Sequence, residues 1–155
     1  IMATEIERKF LVKNPPLYLA KKKVNIKQGY IVSDKEKVIR VRIEENSFFL
    51  TIKGRQTGIS RLEHDFPISE NDADELITHF CNDKIIEKTR YYVKHGEHLW
   101  EVDEFHKKNA GLIVAEIELK SEDEFFEPPS WIMQEVTLIR KYYNMNLATN
   151  PYESW

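Results

Sequence analysis

The chain predicts a mainly β, α+β fold: a closed eight-stranded antiparallel barrel with a charged interior and flanking helices. Three observations predict it. Short runs alternating apolar and charged residues recur along the chain, tight turn signals separate several of them, and rows of charge repeat on strand after strand. The first strand carries the pattern in Glu5-Ile6-Glu7-Arg8-Lys9-Phe10, where Glu5, Glu7 and Lys9 project from one face. Related rows follow in Arg40/Arg42, Arg61/Glu63/Asp65, Lys88/Arg90, Glu101/Asp103 and Glu116/Glu118.

Strands are expected near residues 3–12, 26–32, 37–45, 47–53, 59–67, 85–94, 97–105 and 112–120. Glu45-Asn46-Ser47 and His95-Gly96 close hairpins, and Gly54 to Gly58 reads as a loop. Such short connections imply an antiparallel meander, because parallel strands need long crossovers. Ile39, Val41 and Ile43 oppose Arg40, Arg42 and Glu44, while Ala115, Ile117 and Leu119 oppose Glu116, Glu118 and Lys120. Alternation by itself does not say which face is inside. One helix is expected from a Ser69 cap to about Asn82, with Asp72, Asp74 and Glu75 early, where the macrodipole favours anions. Its stripe of Ala73, Leu76, Ile77 and Phe80 needs an apolar outer sheet face to cover. Ser130, after Pro128-Pro129, is expected to cap a short helix through Trp131 and Ile132, and Tyr142 to Ala148 forms another. Residues 2–155 read as one domain without internal repeats, and Ile1 ahead of Met2 is assigned no function.

Composition narrows the function classes. The charged fraction of 32% exceeds the roughly 25% usual in globular domains. Yet 26 acids nearly balance 23 bases, giving a net charge of −3. No bulk field therefore draws the chain to nucleic acid or to an anionic membrane. The single Cys81 excludes an internal disulfide, and the charged start argues against a secretory leader. No apolar run approaches the ~20 residues of a membrane span. A cytoplasmic protein is the expectation.

Two sets of residues carry chemistry. The acids Glu5, Glu7, Asp103, Glu116 and Glu118 suit a hard divalent cation, which takes oxygen ligands and shares them with phosphate. The bases Lys9, Arg40, Arg42, Lys53, Arg61, Lys88 and Arg90 suit phosphoryl oxygens, arginine as a planar fork and lysine as a point charge. The bland alternative for any single pair is a solvated strand face of weakly paired surface charges. The combination weighs against it, since like-charged rows on neighbouring strands destabilise one another unless opposite charges or a ligand intervene. Wrapped around a barrel, such rows line a hydrated bore about one layer of side chains across. The five histidines show no metal-ligand spacing, and no Gly-rich phosphate loop appears.

In this order of motifs the chain resembles the CYTH superfamily, the triphosphate tunnel metalloenzymes, in its short bacterial form. The resemblance begins with the Glu-x-Glu-x-Lys of Glu5 to Lys9. It continues through Gln28-Gly29-Tyr30, Arg40-Val41-Arg42, Thr51-Ile52-Lys53 and Ser60-Arg61-Leu62-Glu63. Then come Glu87-Lys88-Thr89-Arg90-Tyr91, Trp100-Glu101-Val102-Asp103, Ala115-Glu116-Ile117-Glu118 and Lys141-Tyr142-Tyr143-Asn144. It implies a barrel open at both ends and catalysis on triphosphates dependent on Mg²⁺ or Mn²⁺. It makes Glu5, Glu7, Glu116 and Glu118, joined by Asp103, the metal and water residues. Lys9, Arg40, Arg42, Lys53, Lys88 and Arg90 become the phosphoryl grips, with Glu5, Glu7, Lys9 and Lys88 the catalytic set. Arg61 and Glu63 are tunnel residues with structural or substrate-binding roles. Two departures stand out: Asp65 where short members often carry a second Glu, and Gly54 where a small polar residue is common.

Hydrolysis of inorganic triphosphate, or of a related organic triphosphate, is the leading expectation. Three alternatives remain beside it: a class IV-type adenylate cyclase making cyclic AMP and pyrophosphate, a thiamine triphosphatase, and a non-catalytic polyphosphate or nucleotide binder. A fifth, an open charged sheet used as a protein interface, requires the charged rows to face bulk solvent. A second copy of the chain is a candidate partner, because an apolar outer wall needs covering.

Overall fold

The computed structural model describes residues 4–155. The expectations for Ala3 as part of the first strand, for residue 2 as the domain start and for Ile1 lie outside the described residues. Nine strands form: β1 (Thr4–Val12), β2 (Lys22–Ser33), β3 (Val38–Glu44), β4 (Ser47–Lys53), β5 (Ser60–Pro67), β6 (Ile85–His95), β7 (His98–Phe105), β8 (Ile113–Glu118) and β9 (Ile132–Glu135). Helix α1 (Glu70–Phe80) follows β5, and α2 (Asn144–Leu147) lies near the C-terminal end.

Eight strands close into the expected barrel, in the order β1-β5-β4-β3-β2-β6-β7-β8 and back to β1. Strand β1 makes the closure by pairing with β8 along Glu7–Leu11 and with β5 along Thr4–Ile6. The β5 seam is short, which leaves the later part of the same β1 edge with backbone groups to satisfy. Strand β9 takes that place, pairing at Phe10 and Val12, and Val136 N–H donates to the Lys9 carbonyl at 2.8 Å. The helix expected from Ser130 through Ile132 is therefore overturned. A free strand edge demands partners for its amides, and that demand outweighs a local cap signal.

Strand β2 also begins earlier than expected. Lys22 to Asn25 pair with Thr89 to Tyr92 of β6, although the Lys21-Lys22-Lys23 run has the composition of a solvated turn. The hairpins fall where anticipated. Glu45 turns at φ 52° between β3 and β4, and Gly96 at φ 60° between β6 and β7, as tight two-residue turns require. Ser69 caps α1, its hydroxyl accepting from Asp72 N–H at 3.0 Å.

The barrel is apolar outside and charged within. On β1, β6, β7 and β8 the outward residues Phe10, Val93, Trp100, Val102 and Ile117 are sealed by Phe126 and Trp131. Helix α1 covers the outside of β2 to β4, packing Ala73 and Ile77 on Val41 and Ile43. Phe80, expected in that stripe, lies exposed at the helix end. A third cluster sits inside the bore, where Tyr30, Val38, Ile86, Phe105 and Val114 meet Leu147 of α2. The expectation of a bore open at both ends is corrected here. The end where β3, β6 and β8 begin is filled by apolar side chains and the α2 segment. Among the described residues no helix is long and apolar enough to cross a membrane.

Candidate active site

A cavity of about 290 Å³ occupies the bore. Into it point Glu5, Glu7 and Lys9 of β1, Arg40 and Arg42 of β3, and Lys53 of β4. Arg61 and Glu63 of β5, Lys88 and Arg90 of β6, and Glu116 and Glu118 of β8 join them, which brings together every expected site residue except Asp103. Strand parity makes this inevitable once the apolar face turns outward, because alternate side chains must then face the bore. Register places Lys9 opposite Glu116, Glu5 opposite Arg61, and Lys53 opposite Glu63. It also places like charges opposite each other, Glu7 with Glu118 and Glu101 with Glu116. Opposed like charges destabilise a sheet unless something compensates.

The basic wall is compensated by fixed partners. Arg90 makes a two-pronged contact with Asp103, from Nε to Oδ1 at 2.8 Å and from Nη2 to Oδ2 at 2.9 Å. Lys88 Nζ donates to the same Oδ2 at 2.7 Å. Arg42 Nε donates to Gln28 Oε1 at 2.9 Å, and Arg40 Nη2 to Thr51 Oγ1 at 3.2 Å. Thr51 in turn donates to Asp65, which gives that departure from the family pattern a place behind Arg40. Arg40 Nε is buried without a partner among the described residues. Burial, with Arg40 and Arg90 nearby, pulls the Arg42 guanidinium down to about 10. Burial also pulls the Lys88 ammonium down to about 7, with Asp103 opposing and Arg90 and Arg42 assisting. Burial tends to raise Asp103, but Arg90 and Lys88 outweigh it and hold its carboxyl below the usual range.

Asp103 differs from its expected place in a metal shell. Its side chain is 1% exposed, lies behind the cavity wall, and has both oxygens taken by Arg90 and Lys88.

The acidic wall is compensated far less. Glu5 lies beside Glu63, and Glu7 beside Glu116, so each carboxyl shifts its neighbour. Burial pushes the Glu5 carboxyl up to about 7, with Lys53 opposing and Glu63 adding to the rise. Burial, then Glu116 and Glu5, raise Glu7 well above the usual range. Glu116 goes the other way: burial tends to raise it, but Lys9 and Arg90 hold it low. In each pair one carboxyl is pushed up and the other held down, the usual outcome when two carboxylates share a site. Lys53 lies 3.1 Å from Glu63 and 3.4 Å from Glu5. These acids outweigh burial and Arg40, so its ammonium is held up. Glu118 sits exposed at the rim.

Among the described residues no three acidic or imidazole groups converge into a closed metal shell. The donor set nevertheless fits a hard divalent cation. Such ions are held by one or two carboxylates plus substrate phosphates, and a divalent charge would compensate the crowded acids of this wall.

Several cavity residues escaped the sequence sets. Glu44 and Tyr92 line it in phase with charged neighbours, as does Glu101, which the charged rows included but the acid set did not. Tyr143, Asn144 and Met145 reach it from the C-terminal segment, and no strand period announces them.

A family model for the CYTH domain matches residues 3–147. The chain belongs to the CYTH family. Among CYTH relatives, an inorganic triphosphatase of Acetivibrio thermocellus is 44% identical over 154 residues, covering 99% of each chain. An inorganic triphosphatase of Nitrosomonas europaea is 35% identical over 152 residues, covering 94% of this chain and 97% of its own. A crystal structure of an inorganic triphosphatase superposes with a TM-score of 0.67 at 34% identity, covering 95% of both chains.

Proposed function

We propose that this CYTH protein hydrolyses inorganic triphosphate in its bore, with Mg²⁺ or Mn²⁺ as cofactor, acting as one domain over residues 2–155. The observation that carries the reading is the meeting of two unlike walls in one cavity. A clamped row of cations faces carboxyl pairs still short of positive charge. The full-length likeness to relatives named inorganic triphosphatase supports the same substrate.

Phosphoryl transfer asks a protein mainly for positioning and charge stabilisation. Lys9, Arg40, Arg42, Lys53, Lys88 and Arg90 hold phosphoryl oxygens along the bore, with Arg61 at the β5 side. Asp103 serves as the clamp that aims Lys88 and Arg90. Glu5, Glu7, Glu116 and Glu118 are the cation-holding residues, and Glu63 with Lys53 steadies Glu5. When bound, the cation supplies Lewis-acid polarisation of phosphoryl oxygens and of water. In the chemical step a water oxygen bonds to the terminal phosphorus while the phosphoanhydride P–O bond breaks. Pyrophosphate leaves with the bonding electron pair, and the water proton passes to the Glu5 carboxylate. Cytoplasmic residence goes with this reading, since the buried free thiol of Cys81 suits a reducing compartment.

The test is to incubate the protein with tripolyphosphate, ATP and thiamine triphosphate, each with Mg²⁺ or Mn²⁺, and to identify the products. Orthophosphate and pyrophosphate from tripolyphosphate, with ATP left intact, is the expected result. Cyclic AMP as the main product, or recovery of every ligand unchanged, overturns it.

A further inference from the structure

Gln28 is 0% exposed and stands behind the basic wall on β2. Its amide is fully used. Oε1 accepts from Arg42 Nε at 2.9 Å, while Nε2 donates to the Tyr30 hydroxyl at 2.8 Å and to Asn144 Oδ1 at 3.1 Å. Asn144 Oδ1 accepts a second bond, from Lys88 Nζ at 2.9 Å. Two side chains 116 residues apart thus join Arg42 to Lys88 through amides alone.

That choice of neutral partners has a physical consequence. Asp103 already sets one negative charge between Lys88 and Arg90. A carboxylate at position 144 would keep the acceptor for Lys88 and Gln28 but offset the charge of the cations, and a polyanion would find a weaker field. An amide supplies the hydrogen bonds without the charge. The contacts also leave donors without a hydrogen-bond partner among the described residues. With Nε engaged, Arg42 presents its two terminal amino groups. Lys88, with one N–H on Asp103 and one on Asn144, keeps a third.

We infer that Gln28 and Asn144 are the positioning residues of the basic wall: an uncharged bracket that aims Arg42 and Lys88 while leaving their charge to the polyphosphate. The inference rests on the reading of the bore as a triphosphate site. It also makes the C-terminal segment part of that site. The bracket is complete only while α2 is seated, with Leu147 in the apolar end of the bore and its carbonyl accepting from Asn109 Nδ2 at 3.4 Å.

The test is calorimetric binding of inorganic tripolyphosphate in metal-free buffer, paired with melting curves and steady-state kinetics. Asn144→Ala weakens binding about tenfold, as loss of one hydrogen bond to a charged group does, with little change in melting. In Mg²⁺ its kcat falls more than its KM rises, because misaimed cations fail where phosphoryl charge moves in the transition state. Asn144→Asp keeps the acceptor and the melting temperature, yet still binds more weakly, by an amount that shrinks as salt is added. Gln28→Met combined with Asn144→Ala loses little more affinity than either alone, since the two act as one unit. Folded variants that bind within about twofold of the wild type overturn the bracket, as does a change in melting temperature with kcat/KM retained. Failure of the wild type itself to bind tripolyphosphate overturns the functional reading and the bracket with it. Wild-type binding with unaffected variants overturns the bracket alone.

Discussion

The two walls of the bore are built on opposite principles. On the basic side Arg90 and Lys88 share Asp103, Arg42 leans on Gln28, and Arg40 on Thr51, so each cation has a direction before any ligand arrives. On the acidic side the closest partners of Glu5 and Glu7 include other carboxyls, and both are driven toward protonation. A wall that must present fixed charge to a ligand is pre-aimed. On the proposed reading, a wall that accepts a cation is left electrostatically unfinished, at a cost in stability that the cation would remove. Strain of this kind is tolerated where function needs it.

Four substitutions and one pH titration break or sharpen that contrast. The largest effect is expected at the clamp. Asp103→Ala strands two buried cations and costs about 3 to 5 kcal/mol, read from chemical denaturation; a loss below about 1 kcal/mol would falsify the clamp. Glu7→Gln probes the opposite wall and has the opposite sign. It raises metal-free stability by about 1 kcal/mol, while lowering turnover of tripolyphosphate on the order of a hundredfold. Near-normal turnover in this variant and in Glu5→Gln removes both residues from the chemistry.

A pH titration separates the walls without mutation. Glu5, raised to about 7, binds more protons in the folded than in the unfolded chain above its ordinary value of about 4.3. Its contribution is therefore most favourable in acid and is lost as pH rises from about 4 to about 7, and Glu7 adds to the same slope. The lowered carboxyls of Asp103, Glu63 and Glu116 act only below about pH 4 and do not mask it. Metal-free melting temperature should fall across that window, and Mg²⁺ should raise it most at the alkaline end. A flat profile with a metal effect independent of pH contradicts the account. The smallest effect belongs to the outer face of β1. Arg8 pairs with Glu135 at 2.7 Å in a partly exposed setting, so Arg8→Ala should cost no more than about 1 kcal/mol and leave turnover intact.

Much of this was legible before folding was considered. The period-two charge rows placed Glu5, Glu7, Lys9, Arg40, Arg42, Lys88, Arg90 and Glu116 in one set, and the structure gathers them in one cavity because alternation fixes a face whatever the fold. Ser69 and its following acids marked α1 correctly, since capping is a local interaction. The Ser130 signal misled for the complementary reason: its segment answers to an unpaired edge of β1, more than a hundred residues away in sequence. Asp103 looked like one more bore carboxylate. Only its neighbours across β6 turned it inward to Lys88 and Arg90.

By itself, then, the chain's order of residues determined the strands, their polar and apolar faces and the inventory of charges, all of which depend on neighbours a few positions apart. Tertiary structure alone decided which acids pair with each other, which cations are clamped by carboxylate or amide, and that Leu147 and Asn144 return to close one end of the bore. Those outcomes depend on distances between residues remote in the chain, and burial there sets the protonation that no local pattern encodes.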